Sequence, residues 1–124
     1  MNKKRPVHLN LLKISLPLPG LISILHRASG VILFLALPLL LLMLQFSLHS
    51  PESYAQLGQT LQHPLIKIMW LGLLWGFVHH FCCGIRHLAL DMHYGVKLAQ
   101  ARASSRWVMI ISVFTTLLLG AWLW

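Results

Sequence analysis

Three long runs of apolar residues, separated by short polar stretches, organise this sequence. The runs cover residues about 21–48, 65–90 and 107–124, which is more than half of the 124 residues. An α-helix needs about 20 apolar residues to cross the hydrocarbon core of a bilayer, so each run is long enough, the third only just. The pattern predicts an all-α membrane protein with a single domain, residues 1–124, that crosses the bilayer three times.

Proline and glycine mark the ends of the predicted helices. Pro19 and Gly20 precede the first run, and Pro51 follows it. Pro64 suits the first position of the second helix, where its missing N–H costs no hydrogen bond. Pro38 lies inside the first run, where it removes one backbone hydrogen bond, so we expect a bend in that helix.

Lysine and arginine are unevenly distributed around the predicted helices. All but one precede or begin the first run (Lys3, Lys4, Arg5, Lys13 and Arg27), or lie near the facing ends of the second and third runs (Arg86, Lys97, Arg102 and Arg106). The exception is Lys67, near the start of the second run. The stretch 49–64 contains neither residue type. Because positively charged loops stay in the cytoplasm, we expect the N-terminus and the second loop inside and the C-terminus outside.

The overall composition agrees with a membrane location. Apolar residues make up 57% of the chain and charged residues only 10%, against about 45–50% and about 25% in soluble domains. A formal net charge of +8 would suggest nucleic acid as a partner in a soluble protein. Here the predicted topology accounts for most of that charge, and we expect membrane lipid and no nucleic acid as partner.

Ionisable side chains at membrane depth are costly and usually mark a functional site. A first group begins the first helix, where Ser23, Arg27 and Gly30 share one face and His26 lies beside them. The Arg27 guanidinium can donate two hydrogen bonds to a carboxylate or a carbonyl, and the Ser23 hydroxyl can donate one. The alternative is an arginine that only extends to the lipid headgroups.

A second group lies near the end of the second helix. His80, Gly84, His87 and Asp91 fall within about 60° on a helical wheel and form one stripe. His80 lies roughly 22 Å along the helix from its outer end, which is inside the hydrocarbon. The predicted orientation brings both groups to the cytoplasmic side, so we expect them to form one pocket.

A neutral imidazole at this depth needs a partner for its unprotonated nitrogen. Haem iron is one such partner, and Gly84 would leave room for a flat macrocycle. A hydrogen bond between helices is the alternative. His93 has the spacing of a second ligand but lies in a polar turn, so a second haem ligand is expected from another subunit. The neighbouring His79 is a further candidate ligand, on a different face of the helix.

Three other residues near the second group are interpreted as structural. Asp91 would most simply pair with Arg86 or another nearby cation. Cys82 and Cys83 are adjacent, so a disulfide between them would be strained, and we interpret both as small packing residues. No zinc motif is apparent in the sequence.

Three motifs occur in order along the chain: Arg5-Pro6 followed by Leu9, the segment SILHRASG at 23–30, and the pattern HxxxGxRHLxxD at 80–91. With these motifs the chain resembles a known family, the cytochrome b membrane-anchor subunit of succinate dehydrogenase. The resemblance extends over the whole chain, including the order of the three spans and the C-terminal tryptophan.

The resemblance implies a role for each candidate residue. His80 would be the axial ligand of haem b contributed by this chain. His26, Arg27 and His87 would lie around the haem propionates, and Ser23 and Arg27 would contact ubiquinone where it is reduced.

The resemblance also implies the setting of the chain. It would form half of a heterodimeric haem-binding anchor in the bacterial inner membrane, with a second hydrophobic subunit supplying the opposite haem ligand. An iron–sulfur subunit and a flavoprotein with FAD would carry out succinate oxidation, so this chain alone would have no complete active site. His79 beside His80, and Cys82-Cys83, depart from the expected pattern.

Three other functions remain as alternatives. A quinol:fumarate reductase anchor would use the same chemistry in the other direction. A small transporter or proton relay would use His79, His80 and Arg86, but it would need polar groups along the whole depth of the membrane, and the outer halves of the spans are almost entirely apolar. The third is a structural anchor without haem.

Overall fold

The computed structural model describes Asn10 and residues 14–124, and nearly all of this part of the chain is helical. The helices are α1 (Leu18–His49), α2 (Pro51–Leu61), α3 (Pro64–Asp91) and α4 (Leu98–Leu123). Helices α1, α3 and α4 are each long and apolar enough to cross a membrane. The predicted all-α membrane fold with three spanning helices is therefore confirmed.

The long helices extend beyond the apolar runs that predicted them. Helix α4 begins at Leu98, well before the apolar run that starts at Trp107. The intervening residues include several alanines, arginines and a glutamine, which favour a helix without being apolar. Hydropathy therefore locates the membrane-crossing part of α4 but not its start. Helix α1 continues through Pro38 to His49.

Helix α2 occupies a stretch that the hydropathy pattern left as a loop. Its N-cap is Ser50, whose hydroxyl accepts a hydrogen bond from the Ser53 backbone N–H at 3.1 Å, and Pro51 occupies the first helical position. Both residue types are favoured there. Two hydrogen bonds lower the pKa of the Glu52 carboxyl. The larger effect comes from the Glu52 backbone N–H and the smaller from the Ser50 hydroxyl.

Helix α3 packs against both α1 and α4, and α1 also contacts α4. One buried residue from each long helix forms the core, namely Ile22, Cys83 and Val108. The other buried side chains of α4 are small and carry hydroxyl groups (Ser105, Ser112 and Thr116). Small residues let membrane helices approach closely. The core therefore lies towards the end of the bundle where α1 and α4 begin and α3 ends.

A short turn joins α3 to α4. His93 has a φ of 63° and Gly95 a φ of 74°, so both residues adopt the left-handed conformation that glycine tolerates best. His93 is exposed and lies outside α3. The prediction that His93 belongs to a polar turn is confirmed.

Candidate functional site

Three histidines meet where α1 begins and α3 ends. The His26 ring stacks on the His80 ring with 4.2 Å between centroids and 11° between planes. The His87 ring lies 4.8 Å from that of His26 at 30°. All three side chains are partly exposed. The expectation that the two polar groups meet is confirmed for these residues.

The hydrogen bonds of His80 fix which of its ring nitrogens carries the proton. Nδ1 lies 3.1 Å from the His26 carbonyl oxygen and 3.2 Å from Ser29 Oγ. The carbonyl can only accept, and the Ser29 hydroxyl already donates to the same carbonyl at 2.8 Å. Nδ1 must therefore be the donor, so the lone pair of His80 lies on Nε2. No described residue forms a hydrogen bond with Nε2.

Glycines make the close contact between α1 and α3 possible. A Cβ added at Gly30 would lie 2.9 Å from Cε1 of His80, which is closer than carbon atoms normally approach. A Cβ added at Gly84 would lie 3.9 Å from Nε2 of His26, an ordinary contact. Gly30 thus provides the space that the His80 ring occupies, and Gly84 lies against the His26 ring.

The other two predicted site residues of α1 lie at the same end of the bundle but do not join the histidine cluster. Arg27 is exposed and Ser23 is partly exposed. Within the described part of the chain, neither side chain forms a hydrogen bond or an ion pair. Among the described residues, the guanidinium and hydroxyl donors of this pair thus have no partner.

His79 has surroundings that differ from those of His80. Its side chain is fully buried, and its ring stacks against Trp75 with centroids 5.2 Å apart. In the part of the chain that the structure describes, the two ring nitrogens of His79 and Nε1 of Trp75 have no hydrogen-bond partner. A buried polar group without a partner is uncommon. The two neighbouring histidines are therefore placed very differently, although the sequence offered both as candidates.

The expected ion pair between Arg86 and Asp91 is wrong. Arg86 is buried, and its Nε–H donates to Ser104 Oγ on α4 at 3.0 Å, while Nη2 donates to the Ala101 carbonyl at 3.4 Å. Asp91 is exposed and pairs with no cation among the described residues. Five residues along a helix correspond to a rotation of about 140°, so Arg86 and Asp91 point to different sides of α3.

Cys83 also belongs to the histidine cluster. Its thiol is fully buried and lies 3.8 Å from the Ile22 carbonyl, to which it donates. Its own carbonyl accepts the Nδ1–H of His87 at 2.8 Å, and its Sγ lies 3.6 Å from the same Nδ1. Sequence reasoning had interpreted Cys83 as a packing residue only.

Two contributors to the site were missed, Ser29 beside His80 and Ser104 beside Arg86. The signal for Ser29 was its position, because Ile22, His26 and Ser29 follow the spacing of residues on one helix face. That face of α1 is the one packed on α3, as the burial of Ile22 and Ser29 shows. The signal for Ser104 was weaker, because its contact with Arg86 depends on how α3 and α4 are rotated relative to each other.

An apolar groove lies at the opposite end of the bundle. It has a volume of about 540 Å³ and its lining includes Leu40, Trp70 and Trp124. Gln62 adds an amide and Lys67 an ammonium group, and Lys67 Nζ lies 4.7 Å from the centre of the Trp124 ring. Among the described residues, the histidine cluster and this mainly apolar groove therefore lie at opposite ends of the bundle.

Three spanning helices with a histidine cluster near one end define a multi-pass membrane protein whose site lies between helices. The sequence model of the family "Succinate dehydrogenase/Fumarate reductase transmembrane subunit" matches residues 1–119. The chain belongs to this family. It is thus a transmembrane subunit of an oxidoreductase complex, as the sequence resemblance implied.

Individual relatives agree with this family. The chain is 39% identical over 126 residues to the succinate dehydrogenase cytochrome b556 subunit of Coxiella burnetii, covering all of both chains. It is 33% identical to the subunit of the same name from Rickettsia felis, over 94% of this chain and 90% of that one. For the Paracoccus denitrificans subunit the identity is 31%, over 92% and 88%.

Proposed function

We propose that this chain is the cytochrome b membrane anchor of a succinate dehydrogenase, that it binds haem b together with a second anchor subunit, and that it forms part of the site where ubiquinone is reduced. The relatives named above are succinate dehydrogenase cytochrome b556 subunits, which favours succinate oxidation over fumarate reduction. The observation that carries the proposal is the hydrogen bonding of His80.

His80 has the properties required of an axial ligand. Its Nδ1–H is held by the His26 carbonyl and by Ser29, and metal-bound histidines almost always donate their other N–H to such an acceptor. Nε2 is then left with a free lone pair on a ring that is only partly buried. A haem shared between two subunits needs a ligand that is accessible from outside its own helix bundle.

His79 fits this role less well. Its ring is fully buried within the chain, so it offers no nitrogen to a cofactor that lies against a partner subunit. We therefore assign the ligand role to His80 and a packing role to His79.

The residues around His80 would hold the rest of the haem. The propionates carry negative charge, and Arg27, His26 and His87 at this end of the bundle offer N–H groups or can gain them on protonation. When bound, haem supplies a redox centre that carries single electrons. The protein's contribution is to fix the tautomer of His80 and to supply positive charge at the membrane surface.

Ser23 and Arg27 would bind ubiquinone. Arg27 is exposed and Ser23 partly so, and their donors are free in the described chain. The Arg27 guanidinium and the Ser23 hydroxyl would donate hydrogen bonds to an oxygen of the quinone ring and stabilise the negative charge that develops on it during reduction. The electrons would come from succinate through the flavoprotein and iron–sulfur subunits.

The site has a predicted position in the membrane. By the distribution of lysine and arginine, the end of the bundle with the histidine cluster faces the cytoplasm and the C-terminus lies outside. In a bacterium this membrane is the inner membrane. The iron–sulfur subunit would then dock on the cytoplasmic side, next to Ser23 and Arg27.

The haem assignment is tested by the reduced-minus-oxidised optical spectrum of the purified complex. We expect a low-spin b-type signal in the unmutated complex and in His79→Ala, and its loss in His80→Ala. A signal that survives His80→Ala and disappears in His79→Ala would reverse the assignment, and no b-type signal in the unmutated complex would refute haem binding.

The quinone assignment is tested by Arg27→Leu, with Arg106→Leu as the control because Arg106 is also an exposed arginine. We expect Arg27→Leu to lower the rate of ubiquinone reduction by at least about 100-fold, as the removal of one charge-stabilising donor does in other enzymes. Succinate oxidation with a soluble dye should continue in both variants. Undiminished quinone reduction in Arg27→Leu would exclude this role.

A further inference from the structure

The apolar groove at the end of the bundle away from the histidine cluster is lined by residues of all four helices. Its volume of about 540 Å³ is in the range of ligand pockets, roughly 300–1,000 Å³. Most of its lining is apolar, and Lys67 adds a positive charge. We propose that this groove binds one phospholipid of the outer leaflet, with an acyl chain along the groove and the phosphate against Lys67.

The groove has the length of one leaflet. Its lining extends from Leu33 to Met43 on α1 and from Lys67 to Phe77 on α3. Ten residues of helix correspond to about 15 Å, which is half of a hydrocarbon core of about 30 Å. Because α1 and α3 are antiparallel, Met43 and Lys67 lie at the outer end of the groove, while Leu33 and Phe77 lie near the middle of the bilayer. The groove therefore covers the depth that an acyl chain of the outer leaflet occupies.

Lys67 is the cation that would bind the phosphate. It is the only lysine or arginine between Arg27 and Arg86, and residues 107–124 contain none. Its Nζ lies 4.7 Å from the centre of the Trp124 ring, and it forms no ion pair with a described residue. A cation–π contact leaves N–H groups of the ammonium available to a phosphate oxygen. The charge at this end of the groove thus complements a phosphate headgroup.

Other side chains at the outer end also suit a headgroup. Gln62 is exposed, and its amide can donate a further hydrogen bond to a phosphate oxygen. Trp70 and Trp124 line the groove at this end, and tryptophan is enriched where a membrane meets water. A ligand without a headgroup would use the apolar lining but not Lys67 or Gln62. The groove is therefore assigned to a phospholipid and not to a purely apolar molecule.

The test uses phosphatidylglycerol that carries a photoreactive diazirine at the end of one acyl chain. The purified complex, depleted of lipid in a detergent without phosphate, is mixed with this probe and irradiated, and the labelled residues are located by peptide mass spectrometry. We expect labels on Leu33 or Phe77, at the deep end of the groove. Labels confined to residues outside the groove, as expected if a segment of a partner subunit fills it, would overturn the proposal.

Competition separates the headgroup from the acyl chains and needs no variant. Excess unlabelled phosphatidylglycerol should remove the label from the groove. Diacylglycerol with the same chains should require at least about 10-fold higher concentrations, because a hydrogen bond to a charged group contributes that factor or more. Equal competition by the two lipids would exclude the contact between the phosphate and Lys67.

One pair of variants tests the charge. Lys67→Gln should lower the apparent affinity for the probe by at least about 10-fold, for the same reason. Lys97→Gln is the control, because Lys97 is an exposed lysine at the opposite end of the bundle, and it should bind the probe like the unmutated complex. Unchanged affinity in Lys67→Gln would contradict the proposal.

A second pair of variants tests the groove itself. Leu40 lines the groove, whereas its neighbour Leu41 is exposed and does not. Leu40→Trp should therefore block labelling of the deep end, and Leu41→Trp should not. Equal labelling in the two tryptophan variants would place the acyl chain elsewhere. Lipid binding is measured directly, so the result stands whether or not the chain binds haem.

Discussion

Helix α3 contacts α1 on one side and α4 on another, and polar side chains lie in both contacts. On α4, the buried hydroxyls of Ser105, Ser112 and Thr116 donate to carbonyls of their own helix at 2.7–3.0 Å. In the contact with α1, His26 and His80 stack while the His26 ring nitrogens and His80 Nε2 have no hydrogen-bond partner in the described chain.

This difference in hydrogen bonding distinguishes polar groups that support the fold from polar groups that can bind a ligand. A hydroxyl that is satisfied within its own helix lets two helices approach closely and leaves no donor for another molecule. An imidazole with one nitrogen fixed and the other free is suited to bind a metal or a cofactor. We therefore propose that the contact between α1 and α3 is the functional one and that the contact between α3 and α4 is structural.

The largest effect is expected from variants that add one methyl group to each of the two helix contacts. In Gly30→Ala the new Cβ would lie 2.9 Å from a His80 ring that two hydrogen bonds hold in place. In Gly120→Ala it would lie 2.6 Å from Leu71 Cδ1, the flexible end of a side chain.

We expect Gly30→Ala to cost about 1–3 kcal/mol, typical of overpacking, and to lower the haem content of the complex. Gly120→Ala should cost clearly less, and Gly72→Ala, with open space around its Cβ, should serve as the neutral reference. Melting temperature and haem content per complex measure both effects. A larger loss in Gly120→Ala than in Gly30→Ala would contradict the assignment of the functional contact.

An effect of comparable size on stability, without an effect on haem content, concerns the partner of Arg86. Ser104→Ala leaves the buried Nε–H of Arg86 without its 3.0 Å acceptor, which should cost about 1.5–3 kcal/mol because the donor is charged. Asp91→Asn should change stability by no more than about 0.5 kcal/mol, as substitutions of exposed residues usually do. Thermal unfolding of the two variant complexes compares them. The opposite ranking would restore the ion pair between Arg86 and Asp91.

The smallest effect compares two serines. Ser29→Ala removes a hydroxyl that joins α1 to His80, whereas Ser112→Ala removes one that bonds only within α4. Hydrogen bonds between membrane helices average about 0.6 kcal/mol, so Ser29→Ala should destabilise the complex by about that amount. It should also alter the b-type spectrum, because it changes the surroundings of Nδ1. Ser112→Ala should leave the spectrum unchanged.

The fold could be predicted largely from hydropathy, and its failures have physical causes. Length and apolarity identify α1, α3 and α4 because the bilayer requires both. Helix α2 was missed because it is polar and lies between spans, where capping by Ser50 and Pro51 determines the structure. The start of α4 was missed because residues 98–106 are helical without being apolar.

The site could be predicted only as far as helical periodicity extends. Helical periodicity placed His80, Gly84 and His87 on one stripe of α3. The distribution of lysine and arginine placed that stripe at the same end of the bundle as His26. It could not show that Ser29 contacts His80, or that Arg86 points to α4, because both contacts depend on how neighbouring helices are rotated relative to each other.

The central claim is that Nε2 of His80 is the axial ligand of a haem in this chain, and ligand rescue tests it most directly. In His80→Gly the ring is removed and a space the size of an imidazole remains. We predict that the purified His80→Gly complex lacks the low-spin b-type spectrum and recovers it when haem and free imidazole are added together. His79→Gly should show the spectrum without imidazole. A His80→Gly complex that retains a full low-spin b-type spectrum in the absence of imidazole would contradict the account.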